Sequence, residues 1–150
     1  MKQDEALRLA FQAMTEISII AHLSDTALSK ALPQHLSAAG FGVLNHFVRL
    51  GLEGETPSRL ARAFQVTKGA MTYTLQQLEQ QGFVRIESDS ADARAKIVRL
   101  TAKGRRAREA SAEAVRPSMI ALLRAVSADE FASVLPFLTK LRETLDAARD

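Results

Sequence analysis

Apolar positions along the chain fall into helical stripes interrupted by one short stretch of a different kind. Between residues 4 and 32, Leu7, Phe11, Met14 and Ala21 keep a helical rhythm, and Ile17, Ile19, Ile20 and Leu23 widen the apolar surface. That pattern predicts one long helix, buried on more than one side. Pro33 ends it, because the residue before a proline is pushed out of helical geometry. A second helix opens at Ser37, a good N-cap, with Leu36 and Phe41 placed to form a hydrophobic staple. Val43, Leu44, Phe47 and Leu50 continue its core face, and Gly51 suits its end. After the turn 51–55, Thr56-Pro57 supplies a cap and a proline at the first helical position. Leu60, Ala61 and Phe64 give this shorter helix its apolar face. Thr67 then caps a helix with Met71, Leu75 and Leu78 at i, i+4 and i+7, and Gly82 stops it.

Beyond Gly82 the pattern changes. Phe83–Glu87 and Lys96–Leu100 are rich in Val, Ile and Phe, and Ser88–Ala95 between them is polar. These residues predict a two-stranded hairpin with a long tip. Thr101 caps a helix expected from Ala102 to about Ala125, which Pro117 should bend or interrupt. Ser127 and Glu130 form a capping box for the last helix, whose stripe is Phe131, Val134, Leu135, Leu138, Leu141 and Leu145, with a kink expected at Pro136. The fold class is therefore mainly α. Two short helices joined by a tight turn and followed by a hairpin make a winged helix-turn-helix with a two-stranded β wing, flanked by long N- and C-terminal helices. The apolar stripes of those flanking helices exceed what one small domain needs. A two-fold homodimer through them is the economical way to bury the surplus.

Composition narrows the function classes. With no Cys, disulfides, thiolate metal sites and cysteine redox sensing are excluded. No apolar run approaches the roughly 18 residues of a membrane span, and the charged N-terminus is unlike a secretory signal, so a cytoplasmic location is expected. The net charge is only +3, but residues 83–108 hold eight basic and three acidic groups. Positive charge on the hairpin and the start of the following helix favours a polyanion through counterion release. A helix filling the major groove beside a thin basic hairpin over the minor groove is a natural fit to double-stranded DNA. Catalysis finds no support: there is no glycine-rich phosphate loop, nucleophile motif or paired carboxylate setting. His22, His35 and His46 are too few and too scattered for a metal site, and no cofactor is implied.

The residues in their order resemble the MarR family of bacterial transcription regulators. Leu60-Ala61, Val66-Thr67-Lys68, Thr72, Leu78-Glu79, Gly82 and Val84 follow the family pattern. The hairpin segment Asp89-Ser90-Ala91-Asp92-Ala93-Arg94, followed by Val98, Leu100-Thr101 and Gly104, is similar to the family's D-x-x-D-x-R…V-x-L-T-x-x-G signature. The chain departs at Ala91 and Ala93, where the family often has arginines, and at Tyr73, where a basic residue is common. The core resemblance covers about residues 36–108. It implies a single MarR-like domain over 1–150, with 36–104 as the DNA-binding core and 1–35 and 105–150 as dimerisation helices. It also implies a homodimer near promoters, usually a repressor, with a small-molecule effector pocket between the dimerisation helices and the winged helix.

Candidate site residues follow from the face of the fourth helix left polar by its apolar stripe. Thr72 and Gln76 are placed for base contacts, through a thymine methyl and an adenine edge respectively. Tyr73 is a further base or phosphate contact, and Lys68 a phosphate contact that positions without specifying. Gly69 and Ala70 allow close approach to DNA. Lys96 adds a cation on the hairpin. Arg94 at its tip suits a narrow minor groove, with Asp92 orienting the tip. His22 lies on the first helix, where the effector pocket of the family would be. Two other classes fit the same pattern: an architectural DNA-binding protein without an effector, and a protein-interaction module on a winged-helix scaffold.

Overall fold

The computed structural model describes residues 2–88 and 95–149. These residues form α1 (Gln3–Ala31), α2 (Ala38–Leu50), α3 (Pro57–Phe64), α4 (Lys68–Gln80), β1 (Val84–Ser88), β2 (Lys96–Leu100), α5 (Ala102–Leu122) and α6 (Ala128–Ala147). The chain divides into two compact units, residues 1–114 and 115–150.

Local chemistry sets most boundaries in the first unit. The hydroxyls of Ser37, Thr56 and Thr67 accept the amides of Gly40, Arg59 and Ala70 and so satisfy free donors at the starts of α2, α3 and α4. All three helices then end in the same way. A residue in left-handed geometry sends its N–H, and that of the next residue, back to carbonyls of the last turn. At α2 the pair is Gly51 to Val48 and Leu52 to Phe47; at α4 it is Gly82 to Glu79 and Phe83 to Leu78. At α3 the left-handed residue is Gln65, with φ 51°, where glycine would be strain-free. This turn joins the two helices of the helix-turn-helix.

The core of this unit gathers Leu36, Val43, Leu44 and Phe47 from α2 and its approach, Leu60 from α3, Met71, Leu75 and Leu78 from α4, and Val84 and Val98 from the hairpin. Leu28 and Leu32 bring the end of α1 onto it. Earlier on α1, Leu7, Phe11, Ile19, Ile20 and Leu23 stay exposed within the single chain. The strands pair antiparallel, with Ile86 opposite Val98 and Ser88 opposite Lys96. On the other side of β2, Glu55 bridges to Val98, its N–H donating to the Val98 carbonyl at 3.0 Å and its carbonyl accepting from the Val98 N–H at 2.8 Å. The turn before α3 is thus a third, one-residue rung of the sheet.

In the second unit, α6 begins at the expected capping box. The Ser127 hydroxyl accepts from the Glu130 amide, and the Glu130 carboxylate accepts from the Ser127 amide. The Ser127 amide and then the Ser127 hydroxyl, each donating to the Glu130 carboxylate at 2.9 Å, hold that carboxyl below its ordinary pKa. Phe131, Val134, Leu135, Leu138 and Leu145 on α6 remain exposed within the chain.

Two boundaries differ from expectation. The first strand is Val84–Ser88 rather than Phe83–Glu87, because the Phe83 N–H is spent closing α4 on Leu78. The helix after Thr101 stops at Leu122, and residues 123–125 continue as turns. Neither Pro117 nor Pro136 interrupts its helix: α5 and α6 run through them. A proline deletes one N–H bond of the ladder, and here the turns on either side carry on.

The start of α5 packs unusually close to the end of α4. Thr101 donates its hydroxyl to the Gly82 carbonyl at 2.6 Å and accepts the Gly104 amide at 3.0 Å. A Cβ on Gly104 would lie 2.0 Å from the Phe83 carbonyl oxygen and 2.8 Å from Leu100 Cδ1. Gly104→Ala is therefore expected to cost about 1–3 kcal/mol or more, read as a lowered urea midpoint in equilibrium unfolding.

Candidate nucleic-acid interface

The buried stripe of α4 fixes how the helix is rotated. Met71, Leu75 and Leu78 are locked in the core, so Lys68, Gly69, Ala70, Thr72, Tyr73 and Gln76 are all exposed. Tyr73 keeps 65% of its surface in solvent. Nothing lies within 4 Å of where a Gly69 Cβ would be, so packing does not demand glycine there. The expected readers therefore share one side of one helix, with Lys68 at its start and Glu79 near its end as the charges there.

Beside this face the hairpin leaves a cleft of about 330 Å³, and its lining includes Thr72 and Gln76 from α4, Ser88 and Lys96 from the strands, and Glu79. Lys96 thus stands in the same cleft as two of the predicted readers. Arg94 and Asp92 lie outside the described residues.

The hairpin is tied to α4 by a bond that sequence pattern did not reveal. Val98 commits both backbone groups to Glu55, so these point away from β1. The Ile86–Val98 rung is then of the kind without bonds between the two strands, and the Ile86 N–H faces the outer edge of the sheet. The Glu79 carboxylate of α4 accepts it at 2.7 Å. Seven residues separate the partners, and no short-range signal marks them.

The basic patch is smaller than its count suggested. Arg85 and Arg99 stand directly opposite each other on the paired strands, a repulsive arrangement. Glu87 lies between them and accepts from Arg85 Nε at 3.1 Å and from Arg99 Nε. These bonds hold the Glu87 carboxyl below its usual pKa, the one from Arg99 most strongly. Arg108 is also engaged, donating Nε and Nη2 to the Asn45 side-chain oxygen of α2 at 3.2 and 3.1 Å. Among the described residues of this patch, Arg85, Arg99 and Arg108 thus serve the protein itself, and the Lys103 ammonium lies over the Phe83 ring, 5.5 Å from its centroid. Alternation on a strand puts Arg85 and Glu87 on one side, so that part was open to reading; the Arg108 bond spans 63 positions and was not.

The histidines are dispersed. His22 is exposed on α1 beside an open hollow formed with Asp25, Thr26, Ser29 and Lys30 of its own helix. His35 is exposed. His46 packs against the Phe64 ring, with centroids 5.3 Å apart, and burial followed by nearby Arg49 lowers its pKa against a smaller opposing effect of Glu55. Among the described residues no cluster of acids and histidines is placed to hold a metal ion, and no helix is long and apolar enough to cross a membrane.

Comparison with known proteins places this arrangement. Residues 36–95 match the sequence model of the MarR family. The chain is similar to the transcriptional regulator BldR from Sulfolobus solfataricus at 28% identity, with a TM-score of 0.80 over 96% of this chain and 99% of that one. The helix-turn-helix of this chain and the strand that follows it are thus similar to the MarR family. A cysteine-to-serine mutant of MarR from E. coli, solved with operator DNA, matches at 28% identity and a TM-score of 0.70, over 85% of this chain and 91% of that one. Reduced AbfR bound to DNA matches at 25% identity and a TM-score of 0.77, over 100% of both chains. No curated protein sequence matches the chain.

Within this winged helix, Glu87 relieves a like-charge rung, which has a measurable consequence. A carboxyl whose folded pKa is lowered stabilises the fold above its unfolded value, and the contribution disappears as pH falls through the folded value. Glu87→Gln should therefore melt below the parent at neutral pH and low salt. The gap should narrow as pH drops below 4.5, the ordinary value for this carboxyl, and also at high salt, because the group is exposed. Thermal melts over a pH and salt grid check both trends.

Proposed function

We propose that this protein is a homodimeric, sequence-specific DNA-binding transcriptional regulator of the MarR family and not an enzyme. It acts in the cytoplasm as a ligand-responsive repressor on a pseudo-palindromic operator. The observation that carries the reading is the exposed face of α4, with Lys68, Gly69, Ala70, Thr72, Tyr73 and Gln76 together on one side of a helix whose rotation the core fixes. In this reading Thr72 and Gln76 touch base edges, Gln76 bidentate to adenine, Tyr73 meets a base or a phosphate, and Lys68 holds a phosphate. Lys96 meets the backbone beside the cleft. Arg94 at the hairpin tip enters the minor groove, and Asp92 orients the tip.

The relatives bound to DNA support the partner. The dimer is supported by the exposed apolar residues of α1 and α6, which one chain leaves in solvent. Residues 1–35 and 105–150 are assigned to dimerisation and 36–104 to DNA. Two such subunits present their α4 helices to half-sites about one DNA turn apart. The effector rests on family membership, with His22 of α1 as its contact.

The test is a gel-shift series against operator and random duplexes across a range of salt. A regulator discriminates strongly; an architectural protein binds both alike; an interaction module binds neither. Gln76→Ala is expected to cost about 1–3 kcal/mol on the best site and to relax preference at one base position, with little change on random DNA. Sedimentation is expected to give a dimer at micromolar concentration, and a stable monomer would remove the symmetric reading.

A further inference from the structure

We infer that Glu79 is a positioning residue, which sets the hairpin against α4 so that base readers and hairpin meet the duplex together. The inference rests on the DNA-binding reading and adds to it a residue that touches no DNA. Three observations lead to it. The Glu55 bridge turns the backbone of Val98 away from β1, which leaves the Ile86 N–H on the outer edge of the sheet. The Glu79 carboxylate takes that N–H at 2.7 Å. Glu79 also lines the same cleft as Thr72, Gln76, Ser88 and Lys96, so the latch sits among the groups whose spacing it governs.

The sign of the charge separates this role from a direct one. A carboxylate beside the path of a polyanion weakens binding electrostatically. If Glu79 were only an exposed acid, its removal would tighten DNA binding. If it positions the hairpin, removal weakens specific binding despite the favourable change in charge. Glutamine keeps an oxygen that accepts the Ile86 N–H and drops the charge, so it separates the two effects.

The experiment compares the parent, Glu79→Ala and Glu79→Gln on two probes: the duplex that the parent enriches from a random pool, and an unselected duplex of equal length. Glu79→Ala should lower the ratio of selected to unselected affinity by roughly tenfold, the loss that one displaced base contact brings. Its affinity for the unselected duplex should be unchanged or higher. Glu79→Gln should restore the ratio. In the free proteins, amide exchange at Ile86 should be fast in Glu79→Ala and slow in the parent and Glu79→Gln, with thermal melts confirming that all three are folded. A ratio unchanged in Glu79→Ala overturns the positioning role while leaving the DNA reading intact, as does a glutamine variant that behaves like alanine. A parent that enriches no duplex overturns the sequence-specific reading, and the positioning role falls with it.

Discussion

Val98 has no freedom left. Its side chain is fully buried with Leu44, Leu60 and Leu75, and both of its backbone groups are paired with Glu55. A one-residue slip of β2 would turn Val98 to solvent and bring Ile97 or Arg99 inward, so the register is strongly specified. From that register the rest of the winged helix follows. Ile86 faces Val98, Arg85 faces Arg99, and Ser88 and Lys96 close the described part of the hairpin. Burial at one residue thereby dictates which charges oppose one another and which amide is offered to α4.

What the sequence disclosed depended on distance along the chain. The caps at Ser37, Thr56, Thr67 and Ser127 each join a side chain to an amide three residues on, and all were legible. So was the rotation of α4, because Met71, Leu75 and Leu78 recur at helical spacing. The links from Glu79 to Ile86, Arg108 to Asn45 and Glu55 to Val98 join partners with no local relation, and no periodicity carries them. The prolines show a related limit. A proline states what it cannot donate, but not whether neighbouring turns suffice, and in α5 and α6 they do. Asp92 and Arg94 lie outside the described residues, so their reading stays where the motif left it.

The charge of the hairpin shows why counting cations overstates a binding surface. Arg85 and Arg99 share Glu87, and Arg108 secures α5 to α2 through Asn45. Guanidinium groups suit such work because their forked donors hold a fixed geometry. Lys96 projects instead into the cleft beside Thr72 and Gln76. These three arginines brace the scaffold, while the Lys96 side chain stays exposed at the surface.

The one-residue rung at Glu55 also bears on how this domain can change. The hairpin is anchored from the α3 side through Glu55 as well as from α4 through Glu79, so its register is held at rungs outside residues 89–94. Closing a longer connection there costs little, about 0.6 kcal/mol for each doubling of its length. By closure entropy alone, connections of other lengths are compatible with the same base. An exchange of residues 89–94 alone leaves those anchors in place, which makes this connection the natural point for re-engineering the protein.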